Sequence, residues 1–91
     1  MLLEFDPAKE RQNKRKHSIS LARFADMDEA TWLSAQDTRR EYGEARWVFF
    51  GLIDGVLYSA VITFRGDAYR IMSLRPASRR ERRLYAEAFK Q

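Results

Sequence analysis

Between Ala45 and Arg75 the chain runs through three apolar stretches separated by two tight-turn signals, Asp54-Gly55 and Gly66-Asp67. Asp-Gly between apolar runs favours a type I′ turn, and glycine as the first central residue favours type II′, so both read as two-residue hairpin loops. The pattern predicts an antiparallel three-strand meander over residues 45–53, 56–65 and 68–75. Ile53 then faces Val56, and Arg65 faces Ala68. Counting outward sets Arg46 opposite Thr63, Glu44 opposite Arg65, and Thr63 opposite Arg70 on its other side. Opposed residues share a face, as do alternate residues along a strand, so Glu44, Arg46, Thr63, Arg65 and Arg70 gather at one end of one face. Val48, Phe50, Leu52, Leu57, Val61, Met72 and Leu74 continue that face. Trp47, Phe49, Ile53, Tyr58, Ile62, Phe64, Tyr69 and Ile71 form the other. With so many apolar positions on each, the sheet is expected to be covered on both sides except where the arginines gather. A one-residue slip would carry the cluster to the opposite face.

The flanking segments predict helices. Leu2 to Phe5 reads as a short first strand, and Asp6-Pro7 supplies an N-cap with proline at the first helical position. The helix that follows, PAKERQNKRKH, is almost devoid of apolar residues and lines Lys9, Asn13, Lys16 and His17 along one side. Ser20 is a second N-cap, for a short helix Leu21 to Ala25 that buries Leu21, Phe24 and Ala25. Thr31 to Ala35 reads as an edge strand ahead of a polar loop, Asp37 to Gly43. After Pro76, Ser78-Arg79-Arg80-Glu81 matches a capping box for a last helix with the apolar stripe Leu84, Tyr85, Ala88 and Phe89. The order of elements implies one α+β domain over residues 1–91: an antiparallel sheet, built on the meander plus an N-terminal strand and an edge strand, packed with two N-terminal helices and one C-terminal helix.

Composition narrows the chemistry. The 91 residues are 45% hydrophobic, enough for one modest core. There is no cysteine and one histidine, which removes disulfides and argues against a zinc site built by the protein. No P-loop, Rossmann glycine pattern or zinc-helix motif is present, so no metal and no cofactor is expected. No apolar run approaches the length of a membrane span, and MLLEFDPAKE does not read as a secretion signal, so the expected compartment is the cytoplasm without membrane attachment. The net charge of +4 sits at the ends: residues 1–20 carry +2, residues 21–74 carry −2 and residues 75–91 carry +4. Basic ends on a small body favour a polyanion such as RNA, or an acidic protein, through long-range attraction.

Three arginines brought together repel one another unless an anion joins them, and Glu44 supplies one charge. A phosphate would supply the rest, and guanidinium forks match its oxygens in pairs. On RNA the same arrangement can do chemistry. The 2′-hydroxyl attacks phosphorus when a base, Glu44 or His17, accepts its proton, while an arginine stabilises the five-coordinate phosphorus. Each residue also has a plainer use. Glu44 and Arg65 can form a surface cross-strand pair, Arg46 and Arg70 can solvate strand ends, and His17 can cap its helix. Arg79 and Arg80 can be the solvated side of a helix, or contact phosphate or an acidic partner. A non-catalytic nucleic-acid or partner-binding module is therefore the alternative to an enzyme.

Phe5-Asp6-Pro7-Ala8-Lys9, Asn13, Lys16-His17, Ser20, Glu44-Ala45-Arg46, Gly51, Arg65 and the run from Arg70 to Tyr85, RIMSLRPASRRERRLY, together resemble the BrnT-type toxins of bacterial type II toxin-antitoxin systems. The likeness spans nearly the whole chain. It implies a RelE-like fold, a metal-independent endoribonuclease that arrests translation, and neutralisation by a ribbon-helix-helix antitoxin. Two toxins and two antitoxins would form the complex, which would reach promoter DNA through the antitoxin. The family pattern falls on Lys9, Asn13, Lys16, His17, Glu44, Arg46, Arg65, Arg70, Ser73, Arg75, Glu81 and Tyr85, implying catalysis by Glu44, Arg46, Arg65, Arg70 and His17. RNA would be gathered by Lys9, Lys16 and Arg75. Phe5 stands where the family has tryptophan, Leu74 where it has alanine, and Ser18 where it has glycine. Serine takes positive φ less readily than glycine, so the turn after His17 is expected to be strained.

Overall fold

The computed structural model describes residues 1–89. Strands β1 (Leu2–Glu4), β2 (Leu33–Asp37), β3 (Arg46–Ile53), β4 (Val56–Arg65) and β5 (Ala68–Pro76) form one open sheet in the order β1-β5-β4-β3-β2. Its pairs are antiparallel except β1 on β5, which is parallel. Helix α1 spans Pro7–His17 and α2 spans Arg79–Ala88. The turns form as their residues dictate. Asp54 and Gly55 both take positive φ, +50° and +79°, as a type I′ turn requires, and Gly66 takes +58° as a type II′ turn requires. Ile53 therefore faces Val56, Arg65 faces Ala68 and Thr63 faces Arg70.

One irregularity changes the far half of β5. Ile62 pairs with Ile71 but Val61 pairs with Ser73, so Met72 is an extra residue, a β-bulge. The alternation expected from Arg70 is thereby re-phased. Leu74 lies opposite Ala60 on the covered face, wholly buried, rather than beside Val61 as simple counting had it. Ser73 and Arg75 move to the face that carries Arg70.

The hydrophobic core occupies one side of the sheet. Ile19, Leu21, Phe24 and Met27 pack on Phe49, Ile53, Ala60, Ile62, Ile71 and Leu74. Asn13 fixes α1 to this layer. Its side-chain amide donates to the carbonyls of Leu74 (2.8 Å) and Ile19 (3.0 Å), while its oxygen accepts from the Leu74 amide (3.0 Å). Asn13 thus satisfies the outer edge of β5 beyond the point where β1 ends. Glu10 performs a similar service one turn earlier, accepting from the Ser20 hydroxyl at 2.6 Å and the Leu21 amide at 2.7 Å. Gly51 lets Met27 approach β3, since a Cβ there would lie 2.6 Å from both Cγ and Sδ of Met27.

Several expectations need correction. The segment after Ser20 is a 3-10 helix, Leu21–Asp26, and a second 3-10 turn, Glu29–Thr31, precedes the edge strand. Ala25 is exposed because the tighter winding directs Leu21 and Phe24 inward without it. The edge strand starts at Leu33, two residues late, because Thr31 and Trp32 close that second turn. The sheet is not covered on both sides. Val48, Phe50, Leu52 and Val61 are only half-buried on the open face, and the α2 stripe does not shelter them: Leu84 and Phe89 are each 50% exposed. Helix α2 stands off the sheet, held by its start and by a hydrogen bond from the Tyr85 hydroxyl to the Thr31 carbonyl (2.5 Å).

Candidate nucleic-acid interface

The register carries Arg46 and Arg70 to the same end of the open face, on either side of Thr63. Thr63 is buried, and its hydroxyl donates to the Ala45 carbonyl (2.7 Å), tying the entry of β3 to β4. Two strand spacings separate the arginine backbones, about 10 Å, a span that a phosphodiester backbone can bridge. The bulge lies beyond Arg70 and leaves this arrangement intact.

The arginines differ in their partners. Arg65 meets Glu44 at 3.4 Å, and Arg70 meets Glu4 at 3.1 Å. Glu4 was no part of the expected cluster; it arrives because β1 pairs with β5 in parallel, setting Glu4 beside Arg70. Arg46 has no carboxylate partner among the described residues. Its guanidinium carbon lies 4.2 Å from the centroid of the Tyr42 ring, and its Nε is buried without a hydrogen-bond partner.

The wall beside Arg46 comes from the loop between β2 and β3, a segment whose sequence reads as merely polar. Asp37 ends β2 directly across from Arg46. Its carboxylate accepts from Arg39 Nε (2.9 Å), a terminal nitrogen of Arg39 (2.9 Å), the Arg39 amide (3.1 Å) and the Tyr42 hydroxyl (3.0 Å). These bonds, the Arg39 side chain foremost, hold the Asp37 carboxyl far below the usual carboxylate range. Arg40 lies on the same ring, 5.4 Å from its centroid. Together with Lys9, Met72 and Ser73 these residues line a cleft of about 490 Å³. A smaller hollow of about 140 Å³ adjoins it, lined by Asp6, Lys9, Arg65 and Arg70 among others, so Lys9 borders both. A cleft with this many guanidinium and ammonium groups at one end of a sheet suits a phosphate backbone.

A family model described as the ribonuclease toxin BrnT of a type II toxin-antitoxin system matches residues 5–81. The chain belongs to the BrnT family. No curated protein matches it. The span matched to BrnT includes α1, β2 to β5 and the start of α2, and therefore every cleft residue named above; Glu4 falls just outside it. An RNA substrate and an antitoxin partner go with BrnT membership.

Not all the expected residues converge. His17 closes α1, eight residues beyond Lys9 and so about 12 Å along the helix axis, and Lys16 shares that distant end. Arg75 lies on the open face and borders a hollow of about 340 Å³ that shares Asp37, Arg39 and Val61 with the cleft, but its guanidinium grips Glu81 through two bonds, at 2.8 and 2.9 Å. Arg79 and Arg80 are exposed on the first turn of α2, away from the cleft lining. Asn13 is engaged in the core. The residues that sequence reasoning missed, Asp37, Arg39, Arg40 and Tyr42, share one legible signal: an aromatic among alternating charges, close to the predicted start of β3.

Proposed function

We propose that this BrnT-family chain is a metal-independent endoribonuclease of RelE-like fold that arrests translation in the cytoplasm. A ribbon-helix-helix antitoxin neutralises it in a complex of two toxins and two antitoxins, through which it reaches promoter DNA. The observation that carries the catalytic reading is Arg46, a cation with no carboxylate partner among the described residues, stacked on Tyr42 at a cleft lined by Lys9, Arg39 and Arg40. RNA enters with the scissile phosphate between Arg46 and Arg70 and the flanking backbone along Lys9 toward Arg65. Glu44, held by Arg65 at 3.4 Å, accepts the 2′-hydroxyl proton. The 2′-oxygen bonds to phosphorus, Arg46 and Arg70 stabilise the added negative charge, and the bond to the 5′-oxygen breaks as that oxygen takes a proton from water. The products are a 2′,3′-cyclic phosphate and a free 5′-hydroxyl. Glu44 suits the base role better than His17, which lies at the far end of α1. Lys16 and Arg75, with Arg79 and Arg80, serve RNA beyond the cleft.

The test is direct. Purified protein incubated with RNA in excess EDTA is expected to cut it, leaving cyclic phosphate ends. Arg46→Ala, and Arg65→Ala with Arg70→Ala, are each expected to slow cutting by about 100-fold, the scale of removing a donor to a developing oxyanion. Intact RNA with the unaltered chain, or undiminished cutting by these variants, would sink the mechanism. Salt-sensitive binding without scission would instead identify a docking module.

A further inference from the structure

We propose that Tyr42, itself held by Asp37, is the positioning residue for Arg46, presenting its guanidinium edge to the RNA phosphate. This rests on the reading of Arg46 as the phosphate-binding arginine. Asp37 lies across the sheet from Arg46 and is the carboxylate best placed to neutralise it, yet all of its bonds go to Arg39 and Tyr42. A carboxylate on Arg46 would occupy the in-plane donors that a phosphate needs. The Tyr42 ring holds the cation differently. A guanidinium stacked on an aromatic face is attracted through that face, which leaves the N–H groups along its edge available. At 4.2 Å from the ring centroid, Arg46 sits at stacking distance.

The ring is fixed in turn. Its hydroxyl donates to Asp37 Oδ2 at 3.0 Å, and the two bonds from Arg39 keep that carboxylate from rotating toward Arg46. Two cations share the ring, with Arg40 the more distant at 5.4 Å. The loop from Asp37 to Ala45 is thus built around one aromatic that orients a cation without neutralising it. Arginines that only solvated a strand end would need no such support.

A double-mutant cycle separates positioning from a merely structural role. Tyr42→Leu and Tyr42→Phe are made in the unaltered chain and in Arg46→Ala. Each protein is assayed for RNA cleavage, with kcat and KM resolved, and for binding of a 2′-O-methyl RNA that cannot be cut. Folding of each variant is checked by thermal unfolding. Tyr42→Leu is expected to lower kcat about tenfold, the effect of a desolvated cation–π contact. Tyr42→Phe, which keeps the ring but loses its bond to Asp37, is expected to lower kcat less than Tyr42→Leu, by about threefold, and activity equal to that of the unaltered chain would overturn the anchoring by Asp37. Over Arg46→Ala, Tyr42→Leu is expected to change neither cleavage nor binding by more than about twofold. Equal losses in both backgrounds, or full activity of Tyr42→Leu, would overturn the proposal. If the unaltered chain does not cut RNA, the nuclease reading fails, and the binding cycle alone decides whether Tyr42 acts through Arg46.

Discussion

Arg75, near the end of β5, clasps both carboxylate oxygens of Glu81, in the first turn of α2, at 2.8 and 2.9 Å. The same carboxylate accepts from the Ser78 amide at 2.8 Å, and the Ser78 hydroxyl accepts from the Glu81 amide at 3.1 Å. Strand, cap and helix therefore meet at one charged group. Because α2 makes little apolar contact with the sheet, this junction sets the direction in which the helix leaves it.

The Arg75 side chain, with the cap, holds the Glu81 carboxyl down at about 2. A carboxyl whose folded pKa lies below its unfolded value stabilises the fold at pH above the unfolded value, and that contribution is lost as pH falls through the folded one. Glu81→Gln keeps the capping geometry but removes the charge. It is expected to cost about 1–2 kcal/mol at pH 7, discounted for the partial exposure of both partners. The cost should shrink between pH 4.5 and pH 2, when both proteins are compared by urea unfolding across pH.

Asn13→Ala removes three buried hydrogen bonds, those to the Leu74 amide, the Leu74 carbonyl and the Ile19 carbonyl. A loss of about 2–4 kcal/mol is expected from the desolvated groups left behind. Denaturant unfolding measures it. A loss below 0.5 kcal/mol on the scale of surface substitutions, roughly, would show that water replaces the amide.

Ser18 ends α1 in the left-handed region, at φ 58° and ψ 29°, with its amide bonded to the Lys14 carbonyl at 2.9 Å. Serine bears a steric penalty there that glycine does not. Ser18→Gly is therefore expected to raise stability by about 0.5–1 kcal/mol, seen as a higher unfolding midpoint. A fall would mean that glycine's extra freedom in the unfolded chain outweighs the relief.

Charge partners should be visible in salt dependence. For single-stranded RNA, each phosphate contact adds about 0.7 to the slope of log affinity against log salt. Lys9→Ala is expected to remove about that much. Arg65→Ala should remove less than half of it, roughly, because Glu44 already shares its charge. Titration of a 2′-O-methyl RNA at several salt concentrations distinguishes them, and equal slopes for the two variants would contradict the ion-pair reading.

The legible parts of this molecule were those governed by local chemistry. Asp54-Gly55 and Gly66-Asp67 set the meander register, Asp6-Pro7 started α1, and Ser78 with Glu81 built the capping box. What escaped was non-local. Nothing near Leu74 announces that Met72 is an extra residue, because a bulge is decided by the fit of β5 against β4 and α1 together. Alternation alone therefore sent Leu74 to the wrong face. The stripe on α2 read as buried because its spacing is helical, but spacing says which residues share a side and not whether anything covers it. At the site, the arginine register was readable from the turns. The Tyr42 ring and Glu4 were not, since one comes from an irregular loop and the other from a parallel pairing more than sixty residues away in sequence.

The bulge in β5 also makes the strand's length adjustable at one place. Ile71, Ser73, Leu74 and Arg75 would alternate without a break if Met72 were absent, so a chain shortened there keeps Leu74 inward and Arg75 outward. Losing Ser73 would let Met72 take its outward place with the same result, whereas losing Leu74 would carry Ser73 into the interior. Along this strand, Met72 and Ser73 are where evolution can delete a single codon and still leave the cation-bearing surface and the interior on their own sides.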